Sequence, residues 1–401
     1  MDQLGQHPVP LTEEKFDSLG LSPEILKFID EIGFQRPTPI QSKVIPPALE
    51  GKDLIGLAQT GSGKTAAFAI PLAERLRHGE KLRGVILCPT REIALQTKAF
   101  LDLLGKHHNL TTVCVIGGVP MNPQTQALKK NPDIIVATPG RLKDHMDRGN
   151  VRLDLVEELV LDEADHMLDL GFAVQIDAIV SKIPKKRHTM MFSATMPYVI
   201  ERLAQKYLNN PIRIDVMPEG KAAEGLTHRL YLVEPANKKK CLLALLLQEL
   251  GSTLVFTTTR LDANWLMRAL EKEGHPVAAI HSDRTQNERI KALEGFRAGE
   301  HRILVATDIA SRGIDVQGIQ HIVNFGIPKN VEDYIHRAGR TARAGAVGLV
   351  STIGTWLDKP IIQEIEKSLG EKLSRCTVAG VEPYQEIVVK PFGRKGLPRR
   401  W

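Results

Sequence analysis

Short apolar runs rich in β-branched residues recur along the chain, separated by longer stretches whose apolar positions fall at helical spacing. In the first half this pattern predicts strands at 84–88 (GVILC), 133–137 (DIIVA), 158–162 (ELVLD), 189–193 (TMMFS) and 212–216 (IRIDV). Residues 91–107 (REIALQTKAFLDLLGKH) carry the spacing of an amphipathic helix. The second half repeats the rhythm at 229–233 (RLYLV), 253–257 (TLVFT), 277–281 (VAAIH), 302–307 (RILVAT) and 321–325 (HIVNF). Strands and helices alternating at these lengths imply an α/β protein of parallel sheets covered by helices on both faces. Between the halves, 217–227 (MPEGKAAEGLT) is polar and aperiodic and reads as a linker. The expected division is a first domain over 1–216, a second over 228–384, and a short basic tail over 385–401.

Ligands of open parallel sheets gather beyond the carboxyl ends of strands, and the unusual sequences of this chain begin there. AQTGSGKT, from Ala58 through Gln59, Thr60, Gly61, Ser62, Gly63 and Lys64 to Thr65, follows the strand candidate DLIGLA and precedes a helical stretch. Its glycines let backbone N–H groups curl around phosphate at the positive end of a helix. Lys64 would reach the β- and γ-phosphates and the Thr65 hydroxyl would bind Mg²⁺. Ala58 stands where the common pattern has glycine. About a hundred residues on, LVLDEADHML places Asp162, Glu163 and Asp165 at the end of an apolar run. Carboxylates there need a partner that offsets their desolvation. Mg²⁺ prefers one or two carboxylates with water and substrate phosphates, so Asp162 is the expected metal partner, and Glu163 would orient and deprotonate the water that attacks the γ-phosphate.

YIHRAGRTARAG places Arg337, Arg340 and Arg343 three residues apart, a spacing that would align them along one helical face. NVED before it suits a helix start capped by Asn330. The expected role is an arginine finger delivered from the second domain, so that hydrolysis depends on closure. Composition limits what else the chain could be. Lys and Arg number 53 against 47 Asp and Glu in 401 residues, a mildly basic balance that permits a polyanionic partner. The four cysteines are scattered without a C-x-x-C pair, with Cys88 and Cys114 in apolar stretches; this argues against disulfides or zinc and fits a reducing compartment. The N-terminus carries no signal-peptide pattern, and no apolar run approaches the ~18 residues of a membrane span. A cytoplasmic protein is expected, without a membrane partner, and no motif demands more than a monomer. The lysine run 238–240 reads as a solvated helix start, and KPFGRKGLPRRW at the end, with Phe392 and Trp401, as either a flexible end or extra electrostatic reach.

Together these residues resemble the DEAD-box ATP-dependent RNA helicases, from Phe16 to about Pro383, with the short loops of the bacterial, RhlE-like members. The resemblance implies two tandem RecA-like domains and an RNA-dependent ATPase that remodels RNA and unwinds short duplexes. GFQRPTPIQ with Phe16 upstream looks like the family's adenine-reading element, with Gln41 on the adenine edge and Phe16 stacked on it. PTREIALQ, the Gly117–Gly118 pair and TPGR look like RNA-contacting loops, which implies phosphate contacts by Arg91, Thr138 and Arg141. SAT, Ser193 to Thr195, resembles the element that couples hydrolysis to RNA through hydroxyl contacts with Asp165 and His336. VFTTTR with Arg260, QNER with Gln286 and Arg289, and Thr307 match RNA-side elements; Asp315 is implied on the ribose, and Arg337 and Arg340 as the fingers. Ala338, Ala342, Ser311 and Ser282 depart from the usual residues without removing a charged group. The alternatives that remain are an RNA clamp that rarely unwinds and a DNA helicase of the same superfamily.

Overall fold

The computed structural model describes residues 11–58, 61–76, 81–216, 226–308, 319–341, 347–382 and 384. Gln59, Thr60, Asp315, Arg343, most of the expected linker and the basic tail lie outside them.

Seven strands form the first sheet: β1 Leu54–Leu57, β2 Gly84–Leu87, β3 Thr112–Val115, β4 Ile134–Ala137, β5 Glu158–Leu161, β6 His188–Ser193 and β7 Ile212–Asp215. Their order is β3-β4-β2-β5-β6-β1-β7, and every pairing is parallel. β1, β2, β4, β5 and β6 are buried at every residue, as strands covered on both faces must be. Alternate residues divide the core. Ile86, Val136, Val160 and Phe192 pack beneath helices that include Lys64–Arg75 and Arg91–His108. Val85, Ile135, Leu159 and Met191 pack on the other side with Leu142, Ile176 and Ile200.

The second sheet contains β8 Leu226–Leu232, β9 Thr253–Thr257, β10 Val277–Ile280, β11 Ile303–Thr307, β12 His321–Asn324, β13 Gly348–Gly354 and β14 Ser374–Arg375. Its order, β10-β11-β9-β12-β13-β8-β14, repeats the pattern of the first. Helices Lys238–Gln248 and Arg260–Lys272 cover one face and Gln286–Arg297, Val331–Ala338 and Lys359–Leu369 the other. β8 begins at Leu226, inside the stretch expected as linker, because Leu226 and Thr227 already pair in register with Gly348 and Leu349. No helix among the described residues is long and apolar enough to cross a membrane.

Three strands escape the apolar pattern. β3 is an edge strand and only its last residue is buried. β14 is two exposed residues. β13 is bounded by glycines and carries Ser351 and Thr352, fully buried, whose hydroxyls meet His321 Nε2 and Asn324 Nδ2 on β12. Those cross-strand bonds satisfy polar groups that would otherwise be costly to bury.

Candidate active site

β5, β6 and β1 are neighbours, so the loops leaving their carboxyl ends lie side by side. Ala58, just past β1, donates its N–H to the Ser193 carbonyl at 3.1 Å. The phosphate loop then turns through Gly61 (φ 87°) and Gly63 (φ 92°), and Gly63 caps the helix Lys64–Arg75. A Cβ on Gly63 would lie 2.6 Å from Gln41 Nε2, so both backbone sign and space require glycine there. Gln41 binds this loop to the preceding helix Pro39–Leu49. Its Oε1 accepts from Thr38 N–H at 2.9 Å, and its Nε2 donates to the Gly63 carbonyl at 3.2 Å. Lys64 Nζ, buried, donates to the Ala58 carbonyl at 3.1 Å, and Thr65 beside it is half-buried. Phe16, expected to offer a ring to adenine, is only 4% exposed and stacks on Phe34 at 6.3 Å between centroids, so the structure places it in the core.

The three acids are all buried. Glu163 adopts φ 49°, ψ 57° as it starts the helix Ala164–Asp169. Burial raises the Asp162 carboxyl well above the carboxylate range, against the opposing charge of Lys64. Glu163 is pushed up by burial too, but the His166 hydrogen bond and the charges of Lys64, His166 and Arg340 outweigh it and hold the group well below its ordinary value. His166 Nδ1 lies 3.1 Å from Glu163 Oε2. Asp165 reaches sideways: its Oδ2 accepts from the N–H groups of Ala194 and Thr195 and from the Thr195 hydroxyl, each at 3.0 Å. The coupling contact expected of both hydroxyls thus belongs to Thr195. Ser193 Oγ is fully buried without a hydrogen-bond partner among the described residues.

Arg337 and Arg340 do not share a helical face. The helix Val331–Ala338, capped by the Asn330 side chain on Asp333 N–H at 2.7 Å, ends before Arg340. Arg337 is 2% exposed and spends its guanidinium inside its own domain. It pairs with Asp308 through Nε (2.5 Å) and Nη2 (2.8 Å), donates to Asn324 Oδ1 and the Gly326 carbonyl, and lies over the Phe256 ring at 4.8 Å. In this structure its guanidinium is thus engaged within the second domain. Arg340 lies in the turn beyond, buried, with its charge felt at Glu163. His336, half-buried, occupies the last helical turn.

The RNA-side candidates of the first domain converge. A Cβ on Gly118 (φ 71°) would fall 1.9 Å from Arg91 Nη1, and one on Gly117 3.6 Å from Nη2. Arg141 Nη1 donates to the Val119 carbonyl at 2.9 Å, and Thr138 caps the helix Pro139–Asp147 that carries Arg141. In the second domain Thr307 ends β11 and Arg260 pairs with Asp283 at 2.6 Å on the surface. Arg289, half-buried, crosses between domains to buried Glu92 at 3.1 Å. Burial and the Arg289 charge lower the Arg91 guanidinium below its ordinary value.

Residues 38–203 match the family described as DEAD/DEAH box helicase, and residues 237–345 the helicase conserved C-terminal domain. The DEAD-box ATP-dependent RNA helicase RhpA of Helicobacter pylori (strain ATCC 700392 / 26695) is 38% identical over 393 residues, 96% of this chain and 80% of its own length. The chain belongs to the DEAD-box ATP-dependent RNA helicases. CshA of Bacillus cereus (strain ATCC 10987 / NRS 248), of the same description, is 42% identical over 90% of this chain and 69% of its own. Among solved structures, Saccharomyces cerevisiae Dbp5 bound to RNA and ADP BeF3 covers 90% of this helicase and 95% of itself at a TM-score of 0.80 and 30% identity.

Within the helicase, sequence reasoning missed the residues that act on the named ones: His166 on Glu163, Asp308 and Asn324 on Arg337, and Glu92 on Arg289. Only His166, three residues after Glu163 on a helix start, had a spacing that could have announced it.

Proposed function

We propose that this helicase is an RNA-dependent ATPase in which domain closure completes the catalytic site, and that closure on a bent single strand separates short duplexes and remodels RNA. Lys64 exchanges the Ala58 carbonyl for the β- and γ-phosphates of ATP. Thr65 and Asp162 are the residues that would hold Mg²⁺. Asp162 Oδ1 fits that role, since it is buried with no hydrogen-bond partner among the described residues. No cluster of three or more His, Cys, Asp or Glu among those residues could hold a metal alone, so the ion would arrive with nucleotide phosphates and water. When bound, Mg²⁺ supplies neutralisation of charge on the transferred phosphoryl group.

Glu163 positions the attacking water and takes its proton. In the free protein its charge is held by His166, Lys64 and Arg340. As Lys64 and Arg340 turn to phosphate, the carboxylate loses two stabilising cations and becomes a stronger base. Gln41 reads the adenine edge with the lone pair and N–H that its present bonds leave unused. Asp165 couples the acid cluster to the Ala194–Thr195 backbone, and His336 completes that connection from the second domain. RNA is held through phosphates and 2′-hydroxyls by Arg91, the Gly117–Gly118 backbone, Thr138, Arg141, Arg260, Arg289 and Thr307, which gives low sequence selectivity.

The observation that carries this reading is contact across the domain boundary, where Arg289 of the second domain pairs with Glu92 of the first at 3.1 Å, and the Arg340 charge helps to hold Glu163 ionised beside it. The likeness to Dbp5 across both domains supports it, since that relative holds RNA and a nucleotide analogue. The test is ATP hydrolysis with and without single-stranded RNA for the wild type and Glu163→Gln. Strong stimulation abolished by the substitution is expected; equal rates with and without RNA would overturn the closure argument.

A further inference from the structure

On the outer face of the second domain the helix Arg260–Lys272 presents Leu261, Trp265, Arg268 and Lys272 at helical spacing, with Ala263, Leu266 and Leu270 turned to the core. Trp265 is 52% exposed and Leu261 74%. Trp265 is not a loose surface side chain. Its ring rests on Phe325 at 6.3 Å between centroids, and Lys238 Nζ lies over that second ring at 5.2 Å. The lysine run 238–240 is therefore more than a solvated helix start: burial lowers the Lys238 ammonium, and its cation–π contact compensates a charge set against the helix dipole.

Trp265, Arg268 and Lys272, with Lys239 across from them, line an open cavity of about 510 Å³ that no carboxylate lines. Lys239 is already paired with Glu273 at 3.0 Å, which leaves Arg268 and Lys272 as the lining cations with no carboxylate partner among the described residues. The remaining polar group there is Asn264, whose Oδ1 is taken by His281 Nε2 and Arg284 Nη2, which leaves its amide N–H groups as the polar function it can offer. An aromatic plane beside groups that only donate or carry positive charge is complementary to a nucleotide: a base stacks on the indole and its phosphates meet the cations. Arg268 and Lys272 are one turn apart, about 6 Å along the axis, which suits successive phosphates of an extended strand. The helix begins at Arg260, so a strand leaving the proposed cleft by that residue would run along this face.

We infer that this cavity is a single-stranded RNA subsite, holding nucleotides that extend beyond those gripped between the domains. The inference rests on the proposed RNA function for the direction of the strand, and the experiment separates the two. Trp265, Trp356 and Trp401 are the three tryptophans of the chain, so a Trp356→Phe/Trp401→Phe protein reports on Trp265 alone. Oligouridylates of about 6 and about 16 nucleotides, lengths within the range of single-strand sites, are titrated against its fluorescence. The longer RNA should quench Trp265 and the shorter should not. Trp265→Ala should weaken binding of the longer RNA about tenfold, as should Arg268→Glu/Lys272→Glu, which leaves the aromatic packing intact. The charge reversal should also flatten the log–log salt dependence by about 0.7 per lost phosphate. Both variants should keep wild-type affinity for the short RNA and wild-type RNA-stimulated hydrolysis.

Absence of quenching together with unchanged affinity for the longer RNA overturns the subsite while RNA-stimulated hydrolysis stands. Quenching in a protein whose hydrolysis ignores RNA sinks the closure reading and keeps the subsite. Equal quenching by uridine monophosphate, or by an acidic glutamate–tyrosine copolymer, would reassign the face to a small nucleotide or to a protein partner and overturn the RNA assignment.

Discussion

Arg337 and Arg340 differ by three positions and by everything that surrounds them. Arg337 has an ion pair, two further hydrogen bonds and an aromatic face, all within the second domain. Arg340 brings charge to the first. Removing Arg337 takes a charged partner from half-buried Asp308 and a donor from buried Asn324 Oδ1, at a cost of about 1–3 kcal/mol. Arg337→Ala should therefore lower the denaturation midpoint of the second domain, because Asp308 loses a two-point guanidinium contact and buried Asn324 Oδ1 loses a donor. Arg340→Ala should leave that midpoint and ATP affinity near wild type while turnover falls by about 10³-fold or more. Unfolding curves and single-turnover hydrolysis on the two variants decide between these roles; equal stability loss in both would show that the second arginine is structural as well. Spacing alone put the two arginines in one class, since periodicity records faces and not partners.

The polar ladder between β12 and β13 shows the same limit for whole elements. The strands that could be read ahead of the structure are those buried on both faces, where composition has no freedom: 84–88, 133–137 and 253–257 lie almost wholly in strands. β13 hid because Ser351 and Thr352 break the apolar run, and their acceptability depends on residues about 30 positions earlier. His321 is one of those residues. Burial lowers its imidazole from 6.5 to about 4, so the folded protein keeps it neutral where the unfolded chain would protonate it. Its contribution is present above pH 6.5 and is lost as pH falls toward 4, up to about 3 kcal/mol. His321→Gln can keep the bond to Ser351 without a titrating group, and should flatten the loss of stability between pH 6.5 and 4 in chemical denaturation. An unchanged acid limb would assign that sensitivity elsewhere. The chemistry-bearing loops were legible for the opposite reason to β13. Phosphate binding demands Gly61, Gly63 and Lys64 in one local order, and Asp162 and Glu163 must follow a strand, so each signal is contained in a few residues.

At the scale of the whole molecule the informative contact is the one no local pattern announces, Arg289 of the second domain on Glu92 of the first. Glu92 is buried beside Arg91, and Arg289 already lowers the Arg91 guanidinium. The carboxylate thus stands between two cations that both belong to the proposed RNA surface. Without it, and without RNA, Arg91 and Arg289 would face one another across the domain boundary, and like charges in a partly dry setting repel over several ångströms. An RNA phosphate could replace the carboxylate between the same two guanidinium groups, with bidentate geometry available to each. Glu92→Gln keeps the shape and removes the charge. It should leave each domain folded, expand the RNA-free protein in small-angle scattering, and let saturating RNA restore the wild-type radius. The dependence of hydrolysis on RNA should then be steeper than in the wild type, because compaction without RNA has been weakened and compaction with it has not. An RNA-free radius that does not change would mean that the pair is a passenger of closure, and that the arginine reaching Glu163 is held there by other contacts.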